Sequence, residues 1–245
     1  MPNVLFILAD DVNDWVGCIG RHPGARTPNI DSFAEQGVLF QRAYCNAPLC
    51  NPSRTSLLTG LRPSTTGVYG NSHLLRPDAE TLPQLFRKHG YHTIGVGKVF
   101  HWEDVGTWDE IVKVEGKNPT PAKRPVNGIS DARHFDWATL DVKDDEMRDG
   151  KFANRIIKIF QKNHQKPFFL AWGIGANHLP YYVPQKYFDL YPLEGITLPE
   201  VKPDDLDDVP PIGRLLADTE GKFWWSVHGG DHRAVTAHGQ WERAV

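Results

Sequence analysis

Cysteine is scarce in this chain, with three residues among 245, at positions 18, 45 and 50. So small and odd a number excludes a disulfide framework; at most Cys18 and Cys45 could pair, and no such bond is expected. Neither sign of charge is in excess, since 27 Lys and Arg stand against 30 Asp and Glu for a net charge of −3. That balance gives no support to a nucleic-acid surface and leaves room for a local basic pocket. Long apolar runs are missing as well. Val4 to Ala9 is far shorter than a membrane span and has no basic stretch before it, so no span is expected and no leader is visible. Internal repeats and low-complexity tracts are absent. What remains, 40% hydrophobic and 23% charged residues, is ordinary for a globular protein with one large core or two modest ones.

Periodicity supplies the architecture. Val4 to Ala9 is a continuous apolar run, the pattern of a buried parallel strand. Thr27 to Gly37 reads as a helix, with a Thr cap, Pro28 at its first position, and Ile30, Phe33 and Ala34 on one face. Glu80 to Gly90 is a second helix, striped by Leu82, Leu85 and Phe86, and Tyr91 to Val96 is a strand ending in Gly97-Lys98. Residues 102–141 scatter Pro, Gly and charge without a period and are expected to run irregularly over a sheet. Asp144 to His164 is a long helix, Pro167 to Trp172 a third strand, and 199–211 an acidic, Pro-rich connector. Strand, helix, strand, helix, strand predicts an α/β fold with a mostly parallel sheet. Ligands of such sheets sit beyond the carboxyl ends of the strands. Here those ends carry Asp10-Asp11, Lys98 with His101, and His178.

One stretch could serve that rim as its reactive centre, Cys50-Asn51-Pro52-Ser53-Arg54 running on to Leu58-Thr59-Gly60. Pro52 suits the first position of a helix and Gly60 its stop, which puts Cys50 at the helix mouth, where backbone N–H groups favour anions. Arg54, one turn on, offers a planar fork of donors for a tetrahedral oxyanion. A small buried Cys beside a surface Arg is the plainer alternative. The pair Asp10-Asp11 is explained equally by a polar turn or by ligation of a hard cation such as Ca²⁺ or Mg²⁺. Lys98 after a Gly suits a sulfate oxygen, with His101 three residues on; a snorkelling Lys and a core His are the alternative. His178, in a loop rich in Pro and Tyr, suits protonation of a departing alcohol.

Cys50-x-Pro-Ser-Arg54 with Leu58-Thr59-Gly60 resembles the signature of the type I sulfatases. The resemblance implies an alkaline-phosphatase-like α/β fold and hydrolysis of sulfate esters. It also implies that a maturation enzyme oxidises Cys50 to Cα-formylglycine. The hydrate of that aldehyde attacks sulfur and expels sulfate by collapsing back, an exit that Ser or Cys lacks. Asp10 and Asp11 would bind calcium together with the modified Cys50. Lys98 would hold the sulfate and the ester oxygen, and His101 the formylglycine hydrate. Gly97-Lys98-Val99-Phe100-His101, Lys166 to Trp172, Asn177-His178-Leu179-Pro180 and Tyr191 to Pro199 are similar to the iduronate 2-sulfatase branch. That likeness implies a sulfated sugar as substrate and a periplasmic, secreted or lysosomal setting, the chain itself showing no address.

The chain also departs from the family. Sulfatases add a later Asp-Asn or Asp-His metal pair and a second sulfate-binding Lys, and no convincing copy follows Thr197. Asp231-His232 has the right letters but no strand before it; with His228 it has a metal-like spacing, yet Gly229-Gly230 argues against a helix there. Trp224-Trp225 could line a sugar pocket or fill a core. His238 to Val245 reads as a helix beginning with no stop. The expectation is therefore that residues 1–245 form the N-terminal part of a sulfatase catalytic domain, with an exposed sheet edge. Two alternatives stay open: a phosphohydrolase of the same superfamily, and an inactive remnant that only binds sulfated glycans.

Overall fold

In a computed structural model, residues 1–74, 78–102, 106–129, 135–202, 204–217 and 231–245 are described. The strands are β1 (Val4–Ala9), β2 (His92–Gly97), β3 (Glu110–Val112), β4 (Trp137–Leu140), β5 (Phe168–Ile174) and β6 (Tyr181–Pro184). The helices are α1 (Pro28–Glu35), α2 (Cys50–Thr59), α3 (Pro63–Thr66), α4 (Leu82–Lys88), α5 (Arg148–Phe160), α6 (Gln185–Phe188), α7 (Pro211–Ala217), α8 (Asp231–Ala237) and α9 (Trp241–Ala244). The chain divides into two compact units, the first built from residues 1–12, 39–118 and 144–177, the second from 13–38, 119–143 and 178–245.

The first unit holds a four-stranded, all-parallel sheet in the order β1-β5-β2-β3. Its centre is β5, whose Phe168, Phe169, Leu170 and Ala171 are all buried because helices cover both faces. Alternation of side chains along the strand splits them between two cores. Phe168 and Leu170 join Ile94 and Val96 of β2 against Phe152, Ile156 and Ile159 of α5. Phe169 and Ala171 turn the other way, onto Leu8, Leu58 of α2, and Leu82 and Phe86 of α4. This is the parallel α/β sheet that the strand and helix order predicted. Thr81 and Gln84 exchange side-chain and backbone hydrogen bonds in a capping box at the start of α4.

β1 differs from its expectation as a fully buried strand. It lies at the sheet edge, with Leu8 buried but Leu5 and Ile7 exposed by 44% and 50%. Those two point to the α5 side of the sheet, and the core under α5 is drawn from β2 and β5. α5 is shorter than predicted, because Asp144–Glu146 forms a separate 3₁₀ turn ahead of it and His164 hydrogen-bonds the Ile159 carbonyl beyond its end. Residues 102–141 are less irregular than their composition suggests. They contribute β3, which extends the sheet beside β2, and β4, each too short to show a period.

The second unit pairs β4 with β6 in parallel. Ile129, Trp137, Ala234 and Val235 form its core. The fully buried Asp136 carboxylate accepts the Val126 and Asn127 amides at 2.9 Å and the Tyr182 hydroxyl at 2.6 Å. Around α1, the Thr27 hydroxyl does not cap the helix; it donates to Asp31 instead. Ile30 and Phe33, read as part of one apolar helix face, are exposed. None of the three cysteines forms a disulfide. Among the described residues no helix is long and apolar enough to cross a membrane. Trp224, Trp225 and His228 lie outside the described residues, and α8 begins at Asp231, directly after Gly229-Gly230.

Candidate active site

α2 starts earlier than its Pro suggested. Leu49 is the extended N-cap residue, Cys50 is the first helical residue, and Pro52 sits at the third position, where a helix N–H still lacks an internal partner. Gly60 closes the helix at φ 71°, a left-handed cap that glycine adopts without steric cost. Cys50 is half-buried. Its neighbour Asn51 anchors the turn: the Asn51 amide donates to Asn71 Oδ1 (3.0 Å), and its side chain to the carbonyls of Gly70 (3.0 Å) and His73 (2.7 Å). The Asn71 carbonyl also accepts from the Trp102 indole at 2.7 Å. Trp102 in turn packs edge-on against His101, with ring centroids 4.9 Å apart. Asn71 therefore ties the segment bearing Cys50 to the one bearing His101. Nothing in the sequence pattern singles out Asn71 for this task.

One turn along α2, Arg54 is on the same helix face as Cys50. Its guanidinium is buried and bidirectional. Nη2 meets Asp10 Oδ1 at 2.5 Å, while Nη1 bonds the carbonyls of Lys98 and, at 3.0 Å, Val99. Lys98 Nζ closes on the other oxygen, Asp10 Oδ2, also at 2.5 Å. Three residues from two strand ends and a helix thus form one buried cluster. The plainer reading of Arg54 as a surface charge fails, since its side chain is only 6% exposed. Burial on its own pushes the Asp10 carboxyl up, but the hydrogen bonds and charges of Lys98 and Arg54 outweigh that and hold it below its ordinary 3.8.

Close backbone approach makes the cluster possible. Gly97 turns at φ 67° just before Lys98, as the Gly-Lys pair suggested. The Lys98 amide donates to the Gly173 carbonyl of β5 at 2.9 Å. A Cβ on Gly173 would overlap the Lys98 carbonyl. Beyond β5, Asp149 of α5 accepts the Gly175 and Ala176 amides at 3.1 and 2.7 Å, which fixes the loop leading to Asn177. In the sequence Asp149 was only one polar residue within the helix expected from Asp144 to His164.

The remaining expected residues sit as follows. Asp11 is exposed, with a left-handed backbone at φ 48°. His101 is half-buried. His178 is exposed at the start of the second unit's last segment, its Nδ1 hydrogen-bonding the Leu179 carbonyl at 2.8 Å. The described residues hold only part of the donor set that the calcium site implied by the resemblance needs. Both Asp10 oxygens are already engaged by cations. Among the described residues no group of three or more His, Cys, Asp or Glu gathers as a metal site, whereas calcium asks for six or more oxygens.

The sequence matches the Sulfatase family over residues 2–205. This chain belongs to the sulfatase family. A Sulfatase from Formosa agariphila is 42% identical across 96% of this chain and 51% of its own length. Human Iduronate 2-sulfatase is 34% identical across 86% of this sulfatase chain and 41% of its own. The chain thus spans about half the length of the curated relatives it matches. Among solved structures, the phosphonate monoester hydrolase of Agrobacterium radiobacter superposes with a TM-score of 0.73 at 20% identity, over all of this chain and 56% of that one. That likeness extends the alkaline-phosphatase-like α/β fold to this sulfatase chain.

Proposed function

We propose that this sulfatase hydrolyses the sulfate ester of a sulfated sugar, using Cα-formylglycine made from Cys50. The observation that carries the reading is the Asp10–Arg54–Lys98 cluster, two cations gathered at the strand ends with Cys50 one helical turn from Arg54. The human relative's name, Iduronate 2-sulfatase, supports a sugar as the alcohol.

Once matured, residue 50 supplies a hydroxyl for attack on sulfur and a route back to the aldehyde that frees sulfate. The chain's own residues do the rest. Lys98 presents a partly exposed ammonium toward which a sulfate oxygen is drawn, and the buried Arg54 adds a fixed positive charge behind it. Charge of this kind, oriented before the substrate arrives, is the largest single contribution in most such reactions. Asp10 holds both cations in place. His101 takes the proton released as the aldehyde reforms, a role that rests on the family motif. No step is routed through a metal, for the reason given above.

The test has two arms. After co-expression with a formylglycine-generating enzyme, mass spectrometry of the peptide containing Cys50 is expected to show the thiol sulfur lost. The same preparation is expected to cleave an aryl sulfate faster than an aryl phosphate, and Cys50→Ala to abolish both the mass change and the cleavage. An unmodified thiol in an active preparation would remove the nucleophile. Preference for the phosphate would favour the phosphohydrolase alternative. A second reading, sulfated-glycan binding without hydrolysis, is favoured by the engagement of both Asp10 oxygens, and binding without turnover would select it.

A further inference from the structure

The loop after Asp11 carries chemistry that ester cleavage does not use. Trp15 is 37% exposed and lies flat on the imidazole of His22, ring centroids 4.3 Å apart and planes 12° apart. Both nitrogens of that imidazole are engaged. The Gly24 amide donates to Nδ1 at 3.2 Å, so Nε2 carries the proton and donates to the Thr197 carbonyl at 2.8 Å. Along the same segment, the Asp31 carboxylate accepts the Cys18 amide and the Thr27 hydroxyl, and Thr27 Oγ1 accepts the Gly17 amide, each at 2.8 Å. The indole is therefore a plate fixed in place before any ligand arrives, which spares a ligand the cost of ordering it.

The same segment carries two cations. The Arg21 side chain is 70% exposed, 3.8 Å from the Asp14 carboxylate. The Arg26 guanidinium lies 5.8 Å above the ring of Tyr191, itself exposed. Because His22 holds Thr197 and Arg26 covers Tyr191, the 22–26 stretch runs along 191–197 and brings the two pairs onto neighbouring surface of the second unit. A flat exposed ring packs against the C–H face of a pyranose, and guanidinium forks match sulfate or carboxylate oxygens. Together they select a ligand that is apolar on one face and anionic at its rim.

The geometry points to a subsite for a sulfated oligosaccharide on Trp15, Arg21, Arg26 and Tyr191. It rests on the sulfated-sugar reading for its ligand class and not on hydrolysis. Single-stranded nucleic acid also stacks on aromatic rings and pairs with Arg, but a net charge of −3 gives no support to the wider basic surface it would need.

The test is calorimetric titration of the full chain with heparin, chondroitin sulfate and carrageenan oligosaccharides, their desulfated counterparts, and a single-stranded oligonucleotide. At least one sulfated probe is expected to bind more tightly than its desulfated form. Trp15→Ala is expected to weaken that binding roughly tenfold or more, as removal of a preorganised Trp anchor does. Arg21→Ala, a change at an exposed side chain that the fold tolerates, is expected to weaken it as well and to flatten its salt dependence. Failure of all three sulfated probes, equal affinity in both variants, or equal binding of the oligonucleotide would overturn the subsite. Aryl-sulfate turnover by the parent chain is read separately, so loss of the hydrolase reading and loss of the subsite are distinguishable.

Discussion

Asp10→Asn tests whether the buried ion cluster is what holds the rim of the sheet together. The substitution keeps the shape of residue 10 and removes its charge, leaving the buried Arg54 with two carbonyl acceptors and taking the Asp10 counterion from Lys98. Breaking a buried pair by neutralising one partner costs about 3–5 kcal/mol. For a chain of this size each kcal/mol moves the melting temperature by about 2–4 °C, so the variant is expected to melt roughly 6–20 °C lower. Differential scanning calorimetry at pH 7 reads this directly. The sign with pH follows from the depressed Asp10 carboxyl. Its contribution is complete above 3.8, the unfolded value, and drains away as pH falls through the lower folded value. The parent chain should therefore lose stability on acidification more steeply than the variant. Adding Arg54→Met should recover part of the loss, because no orphaned guanidinium remains. A drop of less than about 1 kcal/mol, or a double variant as unstable as the two single losses summed, would refute the account.

Other perturbations read other parts of the molecule. Gly173→Ala drives a methyl into the Lys98 carbonyl and is expected to cost about 1–3 kcal/mol in thermal melts, with aryl-sulfate turnover falling as Lys98 is displaced. Tyr182→Phe strips the Asp136 carboxylate of its 2.6 Å donor and is expected to cost about 1–3 kcal/mol in urea unfolding. In the parent, burial and the hydrogen bond to Asp136 push the Tyr182 phenol up to about 12. Tyr182 should accordingly ionise above the ordinary phenol value of 10 in an alkaline absorbance titration, and its stabilising share, complete below 10, should fade between 10 and 12. Asp149→Ala leaves the Gly175 and Ala176 amides without their acceptor, and their hydrogen exchange should quicken while that of β5 stays slow.

Much of this was legible from particular residues. The signature around Cys50 and three polar strand ends pointed to one rim; Asp10, Arg54 and Lys98 do meet, whereas His178 belongs to the second unit. The parallel order followed from apolar runs alternating with amphipathic stretches. What escaped was whatever depends on neighbours rather than on pattern. The run from Val4 to Ala9 is apolar throughout whether or not a helix covers both of its faces, so the exposure of Leu5 and Ile7 could not be read from it. Strands of three or four residues, such as β3 and β4, are too short for periodicity to register. Asn71 and Asp149 act through hydrogen bonds to backbone brought near by the fold, at separations of 20 residues or more. The start of α2 was misjudged because Pro, favoured at the first helical position, is also tolerated at the third, and the extended Leu49 decides between them.

Leu5 and Ile7 give the rim strand a wet hydrocarbon flank, next to a row of peptide groups with no adjoining strand among the described residues. Two molecules meeting along that rail would gain a hydrogen-bonded ladder and shed water in the same event. Light scattering by concentrated solutions should rise more steeply than in proportion to concentration. A single lysine in place of Leu5 or Ile7 should quiet it without disturbing the ion cluster at the strand's far end.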